Sequence, residues 1–194
     1  GMSLVIFQGG DLSAEVAEML GADCDSRGVE VSVRSLVDFE AWVTSDGSAP
    51  GAAVLLIITT AEGEQPCPGS AACLRFLRRK SHRPSTLAGI DFTVLGLGDS
   101  NLLAGTWRRV DCFGARDCNQ AAQHVDAWLE HLGGTRFHKL GVADDRTENR
   151  EIAPWAENMW VALAGRGEGR ESTAEGHACS EEKTFKTGTS SAIT

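Results

Sequence analysis

The sequence predicts an α/β fold in three layers, a parallel sheet with helices on both faces. Apolar runs of strand length alternate with helical stripes, so successive strands are joined by crossovers and lie parallel. One run, Val54 to Ile58, is apolar throughout and rich in branched residues, as a strand covered on both faces must be. Polar and glycine clusters follow the first, third, fourth and fifth runs, at residues 8–13, 59–66, 96–101 and 141–146. Open parallel sheets bind ligands at that place, outside the carboxyl ends of the strands.

The elements follow in order. Leu4 to Phe7 is the first strand and ends at Gly9-Gly10. Leu12, Val16, Met19 and Leu20 recur at helical spacing, with Ser13 or Asp11 as the N-cap. Val29, Val31 and Val33 alternate with polar residues, the pattern of a half-buried strand. A short helix is expected within Leu36 to Val43. Val54 to Ile58 is the central strand, and a helix from about Ala71 to Lys80 follows a loop rich in Gly and Pro. Phe92 to Leu95 is the fourth strand. Val125, Trp128, Leu129 and Leu132 form a stripe closed by Gly133-Gly134, a C-cap signal. Arg136 to Leu140 reads as the fifth strand. Ile152, Trp155, Met159, Trp160 and Leu163 make the last amphipathic helix, with Pro154 in its first turn. From Gly165 to Thr194 periodicity vanishes, so residues 1–164 are expected to fold and 165–194 to be a disordered tail or the start of a linker.

Composition narrows the function classes. The chain has 194 residues, 42% apolar and 23% charged, enough for a sizeable core. No apolar run approaches the ~18 residues a membrane-spanning helix needs. With 27 acids against 18 bases the net charge is −9, which gives no electrostatic footprint for nucleic acid. The local cluster Arg75, Arg78, Arg79, Lys80 suits a helix C-terminus, where cations complement the macrodipole. The six Cys lack the short paired spacing of zinc ligands, and with no export signal in view they suggest a reduced, cytoplasmic protein. Gly96-x-Gly98 lacks the third glycine of a dinucleotide fingerprint, and no Gly-x-Ser-x-Gly elbow is present.

The ligand loops resemble a known family. Thr59-Thr60-Ala61-Glu62-Gly63-Glu64-Gln65-Pro66 and Leu95-Gly96-Leu97-Gly98-Asp99-Ser100 are similar to the two flavin loops of the flavodoxin-like FMN domains of diflavin reductases. Val125 to Gly133 resembles that family's Asp-x-x-Leu-x-x-Leu-Gly helix, and Leu140-Gly141 through Asp145 with Trp155 and Met159 to Leu163 resembles its closing segment. The likeness spans residues 3–164 and looks closest to the methionine synthase reductase and cytochrome P450 reductase FMN domains. It implies five parallel strands in the order 2-1-3-4-5 and FMN as cofactor. The implied role is an electron-transfer module, an oxidoreductase component that takes electrons from a reductase (FAD/NADPH) domain or protein and passes them to an acceptor redox protein. No segment here binds NADPH or FAD.

The resemblance also implies the site residues. Gln8, Gly9, Gly10, Asp11, Leu12 and Ser13 stand where the family cradles the FMN phosphate at a helix N-terminus. That loop is about one residue shorter than usual and has one hydroxyl. Its Asp11 carboxylate repels a phosphate unless it points away. Thr59, Thr60, Ala61, Glu62, Gly63, Leu97, Gly98 and Asp99 match positions around the ring and ribityl chain. The family's stacking Tyr is missing, because the chain contains no Tyr. Trp107, in an insertion of about a dozen residues between 101 and 120, is the expected replacement; Leu102 or Leu103 takes the flanking position. Asp144 or Asp145 matches an acidic position near the flavin edge, and Ala61 replaces a usual Gly. The departures at Asp11, Ala61 and the missing Tyr leave a second reading open, an FMN-less protein-interaction module on the same fold.

Overall fold

Backbone pairing follows directly from the alternating apolar pattern. The computed structural model describes residues 2–45, 53–61, 65–103 and 114–174, the last eight as backbone only. Strand β1 (Ser3–Gln8) lies between β2 (Glu30–Ser35) and β3 (Ala53–Thr59), and β3 pairs with β4 (Asp91–Gly98), all in parallel. The order is β2-β1-β3-β4 with the fifth position beyond β4, as the resemblance implies.

The fifth strand differs from the expected Arg136 to Leu140. It is split into β5 (Thr135–Arg136) and β6 (Gly141–Asp144), both parallel to β4. Between the two pieces, side chains take over the carbonyls of His138 and Lys139. The buried Thr93 hydroxyl donates to His138 O at 3.0 Å, and the Trp155 indole N–H donates to Lys139 O at 2.9 Å. Periodicity carries no mark of such replacements.

Helices α1 (Asp11–Ser26) and α5 (Ile152–Ala174) cover one face of the sheet; α2 (Phe39–Thr44), α3 (Ala71–Leu77) and α4 (Gln120–His131) cover the other. On the first face Ile6, Leu20, Leu55, Ile57 and Met159 are fully buried. On the second an aromatic group forms, with Phe7 edge-on to Phe39 at 5.2 Å between centroids and Phe76 beyond at 6.1 Å. A 3-10 turn, Leu36–Asp38, leads into α2 and is capped by the Ser35 hydroxyl, which accepts from Val37 N–H.

Two boundaries move. Helix α3 stops at Leu77, so Arg78, Arg79 and Lys80 lie beyond its last turn; Arg79 instead forks onto Glu40 of α2. Helix α5 runs to Ala174, ten residues past the compositional boundary at 164. Arg166 explains part of that extension, since its guanidinium pairs with Asp91 at the start of β4 and lies over the Phe137 ring at 5.2 Å. Helix α4 is tied to β5 by Arg136, whose fork grips Asp126 through two bonds of 2.9 Å and reaches Glu130 at 2.9 Å.

Candidate functional site

Loops after β1, β3, β4 and β6 converge at the carboxyl edge of the sheet. The first is set by Gly10, extended at φ −178, from which α1 starts at Asp11. Neither expected cap caps the helix through its side chain. Asp11 is exposed in the first turn, where the helix dipole favours a carboxylate. Ser13 is fully buried; its hydroxyl donates to Gly10 O at 2.8 Å and accepts from Gly9 N–H at 3.1 Å. Gly10 N–H donates to the side-chain oxygen of Gln8 at 3.2 Å. Two loop amides are therefore held by the loop's own side chains. The N–H groups of Asp11, Leu12 and Ser13 in the first helical turn have no intrahelical acceptor and point where an anion binds.

A turn that the sequence reading passed over supports this loop from below. Cys67 Sγ donates to Gly9 O at 3.2 Å and lies 3.3 Å from Ser70 Oγ. Gly69 packs so closely that a Cβ there would stand 1.8 Å from Gly9 O. The glycine at 69 is thus required by contact, and Pro68-Gly69 beside a ligand loop was the available signal.

The second loop is closed by short backbone bonds. Thr60 N–H donates to Leu97 O at 2.9 Å, Cys67 N–H to Thr59 O at 3.0 Å, and Ala61 N–H to Gln65 O at 2.6 Å. Among the described residues only Glu148 and Asn149 are non-glycine with positive φ, so Ala61 carries no strain here. The hydroxyls of Thr59 and Thr60 are buried without a hydrogen-bond partner. An unmatched buried hydroxyl is costly, and these two stand at the head of the loop that the resemblance assigns to the flavin. Glu62, Gly63 and Trp107 lie outside the described residues.

The third loop is fixed by packing beneath it. Leu97 is fully buried in the core, and only its backbone faces the loop. Gly98 is required by the segment leading into α4, since a Cβ would come within 2.4 Å of Cys118 O. Asp99 accepts from Asn101 N–H at 2.8 Å and shapes the turn. Past it, Leu102 is 48% exposed, an apolar side chain left at the rim of the site.

Asp144 is buried at the end of β6. It is 1% exposed, and its Oδ1 accepts from Ser100 N–H at 2.9 Å and Arg146 N–H at 3.1 Å. Arg146 Nε donates to Ser100 Oγ at 2.7 Å and stands 3.8 Å from the carboxylate. Burial pushes the Asp144 carboxyl up, but its bonds to Ser100 and Arg146 and the Arg146 charge outweigh this and hold it below the usual range. Asp144 therefore clamps the third loop to β6, and Asp145 is the exposed neighbour. Ser100 and Arg146 complete the clamp; the Gly-Asp-Ser motif hinted at the first, and no local pattern marks the second. Nearby, burial first and then the Asp144 charge push the Cys118 thiol up to about 12, so it is inert.

These features fit FMN. A helix N-terminus offers amides for a phosphate, and the paired hydroxyls of Thr59 and Thr60 stand at the loop expected to meet the ring system. The fold matches flavodoxin from Pseudomonas aeruginosa, solved as a cysteine-to-alanine mutant, with a TM-score of 0.62 at 18% identity over 84% of this chain and 99% of that one. The chain is 27% identical over 162 residues to a bifunctional cytochrome P450/NADPH–P450 reductase of Bacillus cereus, covering 82% of this chain and 13% of that protein. It is 28% identical to NADPH-dependent diflavin oxidoreductase 1 of Arabidopsis thaliana, covering 77% and 22%. Methionine synthase reductase of Bos taurus is 26% identical, covering 82% and 21%. The chain thus spans between 13% and 22% of the length of these relatives. The sequence profile of flavodoxin matches residues 13–155. With that profile, that sheet order and these loops together, the chain belongs to the flavodoxin family, whose cofactor is FMN.

Proposed function

We propose that this chain is an electron-transfer module that takes electrons through FMN from a reductase carrying FAD and using NADPH, and delivers them to an acceptor redox protein. The observation that carries this reading is the pair of buried, unmatched hydroxyls of Thr59 and Thr60 at the head of the second loop. FMN supplies the redox chemistry; the chain binds, orients and shields it. In this reading the first turn of α1 takes the phosphate. The backbone of 59–61 and 97–99 lies along the ring and ribityl chain, Leu102 lies at the rim of the site, and the Asp144 clamp holds the third loop in place. Likeness to three proteins named as reductases or oxidoreductases supports a reductase as electron source. Four free cysteines among the described residues support a reducing, cytoplasmic compartment. No helix among the described residues is long and apolar enough to cross a membrane.

The test has two stages. Titration of the purified chain with FMN should give saturable quenching of flavin fluorescence. The loaded protein, reduced by light without oxygen, should then be reoxidised by a haem protein in stopped flow, while NADPH alone should not reduce it. A chain that takes up no flavin would be the FMN-less interaction module instead.

A further inference from the structure

The surface beside the second loop runs against the charge of the whole. Between α3 and α4 lies a groove of about 440 Å³. Leu74, Pro66 and Trp128 form its apolar floor, and Arg75, Arg78 and His124 stand exposed on its rim. No carboxylate is among its described lining residues, although the chain carries a net charge of −9. Arg79, the neighbouring cation, is neutralised by Glu40, whereas Arg75 and Arg78 have no ion-pair partner among the described residues. Trp128 positions two of the rim side chains. The Arg78 guanidinium lies over its ring at 5.8 Å, and the His124 ring tilts against it at 5.6 Å. A guanidinium that uses its face on an indole keeps its N–H edge for an anion.

We propose that this groove docks an acidic segment of the protein that exchanges electrons with the domain. The proposal rests on the electron-transfer reading above. Charge complementarity identifies the partner's chemistry, since the charged groups among the described lining residues are the guanidiniums of Arg75 and Arg78, within a chain that is acidic as a whole. The apolar floor calls for an aliphatic or aromatic side chain among the carboxylates, which a free anion lacks. A long polyanion such as nucleic acid would extend past the groove and meet a chain whose net charge is −9. Pro66 belongs both to the groove and to the strand bridge that closes the flavin loop opposite Thr60, so a segment seated here brings its protein alongside the flavin loop.

The probe is a fluorescein-labelled peptide, Glu-Glu-Leu-Phe-Glu-Asp, added to the FMN-loaded full chain and followed by fluorescence anisotropy. It should bind saturably and weaken with salt, while the same peptide with Gln and Asn in place of the acids should not bind. Arg75→Glu with Arg78→Glu should lower the affinity about tenfold or more, and Arg75→Lys with Arg78→Lys should retain most of it. Affinity within twofold of the parent in the double Glu variant, at unchanged circular dichroism, overturns the proposal. Complete displacement by equimolar inorganic phosphate also overturns it and leaves a small-anion site. Flavin absorbance of the same samples separates the two readings. A chain that holds FMN but ignores the peptide loses only the groove, and one that binds the peptide without FMN loses the electron-transfer reading and, with it, the proposed partner.

Discussion

At the residue scale, the phosphate loop is already hydrogen-bonded to itself. Gln8 fills the Gly10 amide, so a phosphate reaching that amide must displace a side-chain oxygen. Gln8→Ala should therefore tighten FMN binding by about threefold to tenfold, the worth of one recovered amide bond, while riboflavin, which lacks the phosphate, should bind unchanged. Weaker FMN binding in fluorescence titration would mean that Gln8 swings round to donate to the phosphate. The sequence shows the shortness of this loop and its single hydroxyl, and the loops it marks after β1, β3, β4 and β6 share one edge of the sheet. It could not see that Ser13 turns inward, because a hydroxyl that bonds its own backbone has the same letter as one that meets a ligand. The same limit applies to Asp144: an acid at a strand end reads as surface charge until Ser100 and Arg146 are found around it.

At the scale of elements, periodicity located the helices and the first four strands and missed the places where long-range contacts decide an end. The split between β5 and β6 depends on Thr93 and Trp155, 45 and 16 residues away from their acceptors. Helix α5 passes Ala164 into a Gly-rich stretch that composition alone assigns to the tail, and Arg166 anchors it on β4. A chain ending at Ala164 should lose the Arg166–Asp91 pair and the cover over Phe137. We expect a cost of about 1 kcal/mol, read as a fall of about 2–4 °C in Tm. A chain ending at Ala174 should melt with the parent, because the sequence beyond it offers no apolar face. Equal melting of both truncations would show that the last turns of α5 add nothing.

At the scale of the whole molecule, His138 and Asp144 both make stability fall toward acid. Burial and the Lys139 charge hold His138 below its ordinary value of 6.5, and it favours the neutral form when folded. The unfolded chain takes up that proton first, so the contribution is complete above about 6.5 and is lost as pH falls through the lowered folded value. Asp144, also held low, follows the same sign further down, from about 3.8. Urea midpoints should therefore fall between pH 7 and pH 5, and His138→Gln should flatten that slope; an unchanged slope would place the titration elsewhere.

The sheet has one more effect. The buried side chains beneath α2, α3 and α4 and those beneath α1 and α5 share no member, and a layer of hydrogen-bonded β-strands stands between them. Damage on one side is therefore screened from the other. Phe76→Leu and Met159→Ala should be additive in a double-mutant cycle to within about 0.5 kcal/mol, whereas Phe7→Leu and Phe39→Leu, whose rings meet at 5.2 Å, should not. Each face can therefore be repacked without forcing a matching change on the other, although both draw on the one stability of the sheet they share.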